Sequence, residues 1–155
     1  MTSDPDIEFV TLTYDEMGVT LELPAGWVLA ADDVGDMFTY VADAVIEDDG
    51  YAASIVVQRE EPLLDDDLIE DTAAESLAEM AVNYTNLGLR YTRREGDRVI
   101  RAYEFDLQGR RVRQTQGLLA DNAFTLITCT APLAHADTLD PVFTHVIRSL
   151  RHITD

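Results

Sequence analysis

Apolar and polar residues alternate over much of this chain, and two segments depart from that alternation towards a helical spacing. Val19-Thr20-Leu21-Glu22-Leu23 puts one Val and two Leu on one side of an extended chain, the period of two that a half-buried strand requires. Ile7 to Thr13 alternates in the same way. Pro24-Ala25-Gly26 then breaks the run as a turn, and Trp27 follows as a core anchor over the sheet. Met37 to Val45 carries Phe38, Tyr40 and Ala42 at strand spacing, and Asp48-Asp49-Gly50 reads as a hairpin turn. Tyr51 to Gln58 contains Ser54-Ile55-Val56-Val57 and reads as a central strand. Later strands are expected over Leu89 to Arg93, Val99 to Leu107, Arg111 to Leu119 and Ala123 to Thr130. Between them stand the turn residues Glu95-Gly96-Asp97, Gln108-Gly109 and Asp121-Asn122.

The first helical segment runs from about Leu68 to Leu87. Ile69, Ala73, Leu77, Met80, Ala81 and Tyr84 recur there near a 3.6-residue period, with Asn86 and Gly88 closing it and Gly88 as its C-cap. Pro62 to Asp67 forms the connection before it, and Asp67 the cap. The second helix is expected to start at Asp140 and Pro141, an N-cap followed by a proline at the first position. Val142, Phe143, Val146, Ile147 and Leu150 form its apolar stripe, and Arg148, Arg151 and His152 suit the negative end of its dipole.

The order is strands, helix, four strands, helix. Hairpin-joined strands make an antiparallel sheet, so the pattern predicts an α+β fold. Six to seven strands would be flanked by two main helices as an α/β/α sandwich. No βαβ alternation is present, which argues against a Rossmann-type fold. A length of 155 residues suits one domain over positions 1–155, with Met1 to Asp6 loose. Such a chain can bury roughly 70% of its unfolded surface.

At this point the sequence resembles the PsbP/Mog-like superfamily, which includes DcrB-like, LpqN-like and EagR-like bacterial proteins. Four segments carry the likeness: Leu23-Pro24-Ala25-Gly26-Trp27, Ser54-Ile55-Val56-Val57, Leu126-Ile127-Thr128-Cys129-Thr130-Ala131-Pro132, and Pro141-Val142-Phe143 leading to Ser149-Leu150-Arg151. Their order and spacing span residues 17 to 151. The resemblance implies an antiparallel sheet sandwiched by helices and non-enzymatic work, such as that of an adaptor or of a chaperone for membrane-inserting segments.

Charge narrows the partners. The net charge is −19, and all 11 basic residues are Arg. Nucleic acid is an unsuitable partner, because phosphate neutralisation needs a cationic surface, and anionic membranes would repel the chain. Up to Asp71 the single basic residue is Arg59, whereas from Thr72 onward ten Arg balance ten Asp and Glu. The acidic half serves solubility or selects a basic partner. No stretch approaches the ~20 apolar residues of a membrane span. Met1 to Glu16 lacks the basic start and apolar run of a leader, so a cytoplasmic, chaperone-like role is expected.

No catalytic constellation emerges. Cys129 stands alone, so no intramolecular disulfide can form, and its β-branched neighbours predict a buried, inert thiol. Ser54 and Ser149 lack a nucleophile-elbow context. His145 and His152, seven apart on the expected helix, lie two turns apart, too far for one metal ion. The run Asp65-Asp66-Asp67 with Glu70 and Asp71 lacks EF-hand spacing and reads as an acidic approach to the helix. The glycines form no phosphate-binding loop. No cofactor or metal is expected.

Two groups remain as a candidate interaction surface. Arg101, Arg111 and Arg113 belong to a cluster with Arg90, Arg93, Arg94, Arg98 and Arg110 on neighbouring strands, facing Glu95, Asp97, Glu104 and Asp106. They form cross-strand ion pairs or, alternatively, a basic patch for an acidic peptide or for a salt-sensitive homo-oligomer. Met37, Tyr40, Tyr51, Tyr91, Tyr103 and Phe105 pack in the core or line a concave sheet face that two helices leave open. The first functional expectation is a module that holds a protein segment on that face. The alternatives are a small-molecule binder or enzyme with a pocket between sheet and helix, and a docking subunit of a larger complex.

Overall fold

A computed structural model describes residues 8–15, 17–33, 37–41, 47–48, 51–60, 69–121 and 123–153. Seven antiparallel strands form the main sheet: β3 (Val28–Asp33), β4 (Met37–Val41), β7 (Ser54–Glu60), β8 (Thr85–Glu95), β9 (Arg98–Leu107), β10 (Arg110–Ala120) and β11 (Phe124–Pro132). Their spatial order is β3-β4-β7-β11-β10-β9-β8. A smaller sheet joins β1 (Phe9–Tyr14), β2 (Val19–Pro24) and β12 (Arg151–His152), and β5 (Glu47–Asp48) pairs with β6 (Tyr51–Ala52). The helices are α1 (Ile69–Asn83) and α2 (Leu133–Ser149).

Alternation along each strand sorts the side chains onto two faces. Ile55, Val57, Ile100, Ile127 and Cys129 point to one face and bury against Phe143, Val146 and Ile147 of α2. Val19, Leu21 and Leu23, on the one side of β2 that the alternation predicted, join the same cluster. On the opposite face Val99, Leu118 and Phe124 meet Ile69 and Ala73 of α1, while Tyr103, Phe105 and Val112 meet Met80. The result is the expected α/β/α arrangement, with β11 in the middle of the sheet.

Turn chemistry fixes the long hairpins. Gln108 and Gly109 both take positive φ, 51° and 83°, the two left-handed positions of a tight hairpin turn. Gly117 has another role. A Cβ there would stand 2.4 Å from Cγ2 of Ile147 and 3.0 Å from Cγ2 of Ile127, so the missing side chain lets α2 lie against β10.

Several expectations are corrected. The second helix begins at Leu133, and Pro141 lies inside it. Ala136 and Leu139 are buried and extend the apolar stripe upstream; that packing outweighs the backbone hydrogen bond the proline removes. The helix ends at Ser149, so Arg151 and His152 lie in β12 and not in its last turn. Arg98 of β9 caps the end instead, donating to the carbonyls of Ile147 and Leu150. α1 stops at Asn83, and Gly88 sits within β8 and not at a helix cap. Asn86, with φ of 55°, takes the left-handed conformation there. Strand β3 follows Trp27 directly, a strand that the alternation does not predict. Ala81 is exposed. The expectations for Met1–Asp6, for Pro62–Asp67 with its acidic run, and for the Asp49-Gly50 half of the hairpin turn lie outside the described residues.

Candidate functional site: a half-open sheet face beside helix α1

The two faces of the central strands differ in burial. On β7 and β11 the side chains turned to α2 are closed off: Ile55, Val57, Ile127 and Cys129 are all at 0% exposure. Their neighbours on the α1 face, Ser54, Val56, Gln58, Leu126 and Thr128, are half-buried. The cause is the position of α1, which packs over β8, β9 and β10 and leaves the β7–β11 half open to one side.

Along that boundary runs a cleft of about 310 Å³. Thr72, Ser76, Glu79, Met80 and Asn83 form its α1 wall; Gln116, Leu118, Phe124 and Leu126 form its floor; Arg101 and Glu60 also line it. A second cleft, about 250 Å³, lies on the other flank of α1 between Ala73, Ala74 and Leu77 and the strand residues Thr92, Arg94 and Val99. Arg101 borders both.

Two polar rows cross the floor. Register places Arg101, Gln116 and Thr128 side by side on β9, β10 and β11, and likewise Tyr103, Gln114 and Thr130. Nε of Arg101 donates to Oε1 of Gln116 at 2.9 Å, and the Gln116 amide donates to Oγ1 of Thr128 at 3.0 Å. The Tyr103 hydroxyl donates to Gln114, whose amide donates to Oγ1 of Thr130 at 3.1 Å. Within each row the side chains hydrogen-bond one another, as buried polar groups require.

Arg101 is 2% exposed. Its two Nη atoms donate to the carbonyl of Ala73 at 2.6 Å and to Oγ of Ser76 at 2.8 Å. All three acceptors are neutral, and among the described residues no carboxylate pairs with it. Three charge-assisted hydrogen bonds at about 1.5–3 kcal/mol each roughly offset a desolvation cost of several kcal/mol. Burial pulls its pKa down, yet a guanidinium keeps its proton. Glu60, across the same cleft, has its pKa raised by desolvation and likewise has no cationic partner among the described residues.

The sequence-derived candidates divide between the faces. Arg101, Tyr103 and Phe105 share the α1 face, but Tyr103 and Phe105 are buried at 0% and 4% beneath Tyr84 and Met80. Their rings pack with that of Tyr84, the Tyr84–Phe105 centroids 4.4 Å apart. Desolvation raises the Tyr103 phenol well above its ordinary range. They form interior packing because α1 lies over them. Tyr91, Arg111 and Arg113 lie on the α2 face. Tyr91 packs at the edge of the main core under the guanidinium of Arg93, 4.9 Å from its ring centroid. Arg111 pairs with Asp106 at 3.1 Å across the strands. Arg113 is buried and meets Glu104 at 2.8 Å, Asp137 at 2.9 Å and Asp140 at 2.6 Å. Met37 is in register with Gln58 and Tyr40 with Ile55, while Tyr51 pairs with Asp48.

Other groups form contacts that spacing alone did not indicate. Nδ1 of His152 lies 2.6 Å from Oδ1 of Asp121, and its Nε2 lies 2.7 Å from Oγ1 of Thr125. This cluster ties β12 to the β10–β11 turn. Thr125 is 2% exposed, which closes that hydroxyl to a substrate. His145 pairs with Glu22 and stacks on Phe9 at 3.9 Å, so the two histidines sit in separate environments. Cys129 is fully buried, and desolvation raises its thiol pKa far above the ordinary range, which removes its nucleophilic form. Residue type alone does not single out Gln114, Gln116, Thr128 and Thr130 within their strands. The signal was present in parity: Gln114 and Gln116 alternate in step with the apolar Val112 and Leu118.

No protein-family model and no curated protein matches the sequence. Solved structures do match the fold. The Ran-binding protein Mog1p of Saccharomyces cerevisiae superposes with a TM-score of 0.70 at 16% identity, over 96% of this chain and 97% of that one. LpqN of Mycobacterium tuberculosis, involved in cell envelope biogenesis, gives 0.62 at 13% identity over 97% and 93%. The cyanobacterial PsbP of Synechocystis gives 0.60 at 12% identity over 98% of each chain. At such identities the likeness is one of fold alone, and this chain shares its α+β fold with Mog1p, LpqN and PsbP.

Proposed function

We propose that the chain is a non-enzymatic protein-binding module, adaptor or chaperone-like, that holds an extended protein segment on the half-open face of β7 and β11 beside α1. One observation carries this reading: Ile55, Val57, Ile127 and Cys129 are at 0% exposure towards α2, whereas Val56, Gln58, Leu126 and Thr128 of the same strands are only half-buried towards α1. An extended segment laid there would cover Val56, Leu126 and Thr128 and extend the cover α1 already gives the sheet. Mog1p, which shares the fold, is a Ran-binding protein, so a protein partner fits the architecture. The surplus of acids in the first half suits a soluble carrier in the cytoplasm, because it rejects other anionic surfaces.

The test is affinity capture from the native host with three baits: wild type, Val56→Arg on the open face, and Val82→Arg on the outer side of α1, where Val82 is 84% exposed. Circular dichroism verifies the fold of each. A partner retained by wild type and Val82→Arg at high salt, and lost at least tenfold with Val56→Arg, is the expected result. Equal capture by all three baits would remove the open face from the binding surface.

A further inference from the structure

The cleft beside α1 contains an electrostatic mismatch that packing does not explain. Arg101 is a buried cation whose acceptors are an amide oxygen, a carbonyl and a hydroxyl. A guanidinium has five N–H donors, and these three bonds leave two without a protein acceptor among the described residues. The protein carries 30 acidic residues, yet none of those described reaches Arg101. Arginines on the two neighbouring strands do find acids: Arg94 of β8 pairs with Glu70 at 3.0 Å, and on β10 Arg111 pairs with Asp106 and Arg113 with three carboxylates. Glu60 lines the same cleft as Arg101 and stays apart from it. Space therefore separates two opposite charges that would otherwise pair. Further donors and acceptors, Thr72, Asn83 and Tyr84, line the same cleft with the apolar Leu118, Phe124 and Leu126. Polar groups converging over an apolar floor are the composition of a ligand site.

We propose that Arg101 is the anchor of a carboxylate-binding subsite in this cleft, and that the segment held on the open face presents an acidic side chain or its own terminal carboxylate there. The proposal rests on the segment-binding reading for the identity of its ligand, but the carboxylate chemistry stands on Arg101 alone. A carboxylate accepts the two remaining N–H bonds and supplies the ion-pair partner that Arg101 does not find among the described residues. Recognition would be selective, because a neutral segment leaves the guanidinium uncompensated. Glu60 and Glu79, which line the same cleft, oppose a second negative charge there, which favours a ligand with one carboxylate over one with several.

The experiment uses the intact protein with ¹⁵N-labelled arginine, titrated with acetate and with an N-acetylated, C-amidated glutamate as probes, against chloride at matched ionic strength. The Arg101 Nε–H resonance is expected to move saturably with both carboxylates and to stay fixed with chloride. Glu60→Gln should tighten binding roughly two- to five-fold, as loss of one neighbouring like charge would. Arg101→Lys, with its fold verified, should lose the response at least tenfold. An Arg101 resonance indifferent to carboxylate overturns the proposal, and because it is read on wild-type protein, a misfolded variant cannot obscure it. The capture experiment fails or succeeds separately. Carboxylate binding with Val56→Arg capture unchanged leaves an anion site without the segment reading, and the converse leaves the segment reading without this anchor.

Discussion

Single residues in this protein owe their roles to what faces them across the sheet. Gly117 is the plainest case. Its hydrogen occupies the only space left between β10 and Ile147, since a Cβ would come within 2.4 Å of Cγ2. Gly117→Ala is expected to destabilise the fold by about 1–3 kcal/mol through overpacking, read as a lower urea midpoint with an unchanged slope; an unchanged midpoint would mean α2 yields freely. Arg101 and Arg113 show the same dependence on surroundings. Both are buried arginines on adjacent strands, yet Arg113 faces α2 and three carboxylates while Arg101 faces α1 and, among the described residues, none. The sequence reading grouped them with Arg111 as one cluster. Strand parity separates them onto opposite faces of the sheet.

At the scale of elements, α2 illustrates how tertiary packing overrides a strong local signal. Asp140-Pro141 has the form of a helix start, but the seven residues before it are already helical. Ala136 and Leu139 bury their side chains on the same stripe as Phe143 and Val146, and Asp137 and Asp140, one turn apart, both reach Arg113. Those contacts exceed what an interior proline costs. Pro141→Ala should therefore stabilise the chain by on the order of 1 kcal/mol, because it restores an amide donor to the helix and loses only part of that gain to a freer unfolded chain. A fall in the thermal midpoint would show instead that the proline's shape is required by α2. α1 is the simpler element: it packs mainly over β8, β9 and β10 and touches β11 at Phe124, and that limited reach leaves the candidate face half-open.

For the molecule as a whole, charge governs the response to pH. Hydrogen bonds from Arg148 hold Glu95 below the ordinary carboxylate range, and Asn86 with Arg111 does the same for Asp106. A depressed folded-state pKa gives stability that is present above the unfolded value and is lost as pH falls through the folded one. Glu60 has the opposite sign: its raised pKa makes the folded state less stable as pH rises through that value. Acid unfolding should therefore be shallower in Glu95→Gln, measured as stability against pH below about 4. An identical slope would mean that the exposed Glu95–Arg148 pair contributes nothing, as many surface pairs do. The likeness to Mog1p, LpqN and PsbP belongs to this scale too, since it extends over nearly the whole chain while few residues are shared.

The sequence by itself determined the α+β class, the antiparallel pairing, most strands, the core stripe of α2 from Val142 onward and the inertness of Cys129. All of these follow from alternation, turn residues and burial of apolar groups, which act over a few neighbours along the chain. Only the tertiary structure decided where α2 begins, which face each arginine occupies, and that Tyr103 and Phe105 lie under α1. It also decided that Arg101 and Glu60 line one cleft without meeting. Those outcomes depend on register between strands far apart in sequence and on the placement of one helix over part of a sheet. A one-residue change of parity moves a side chain to the other face, and nothing local to Arg101 or Glu60 records what stands across the sheet from it.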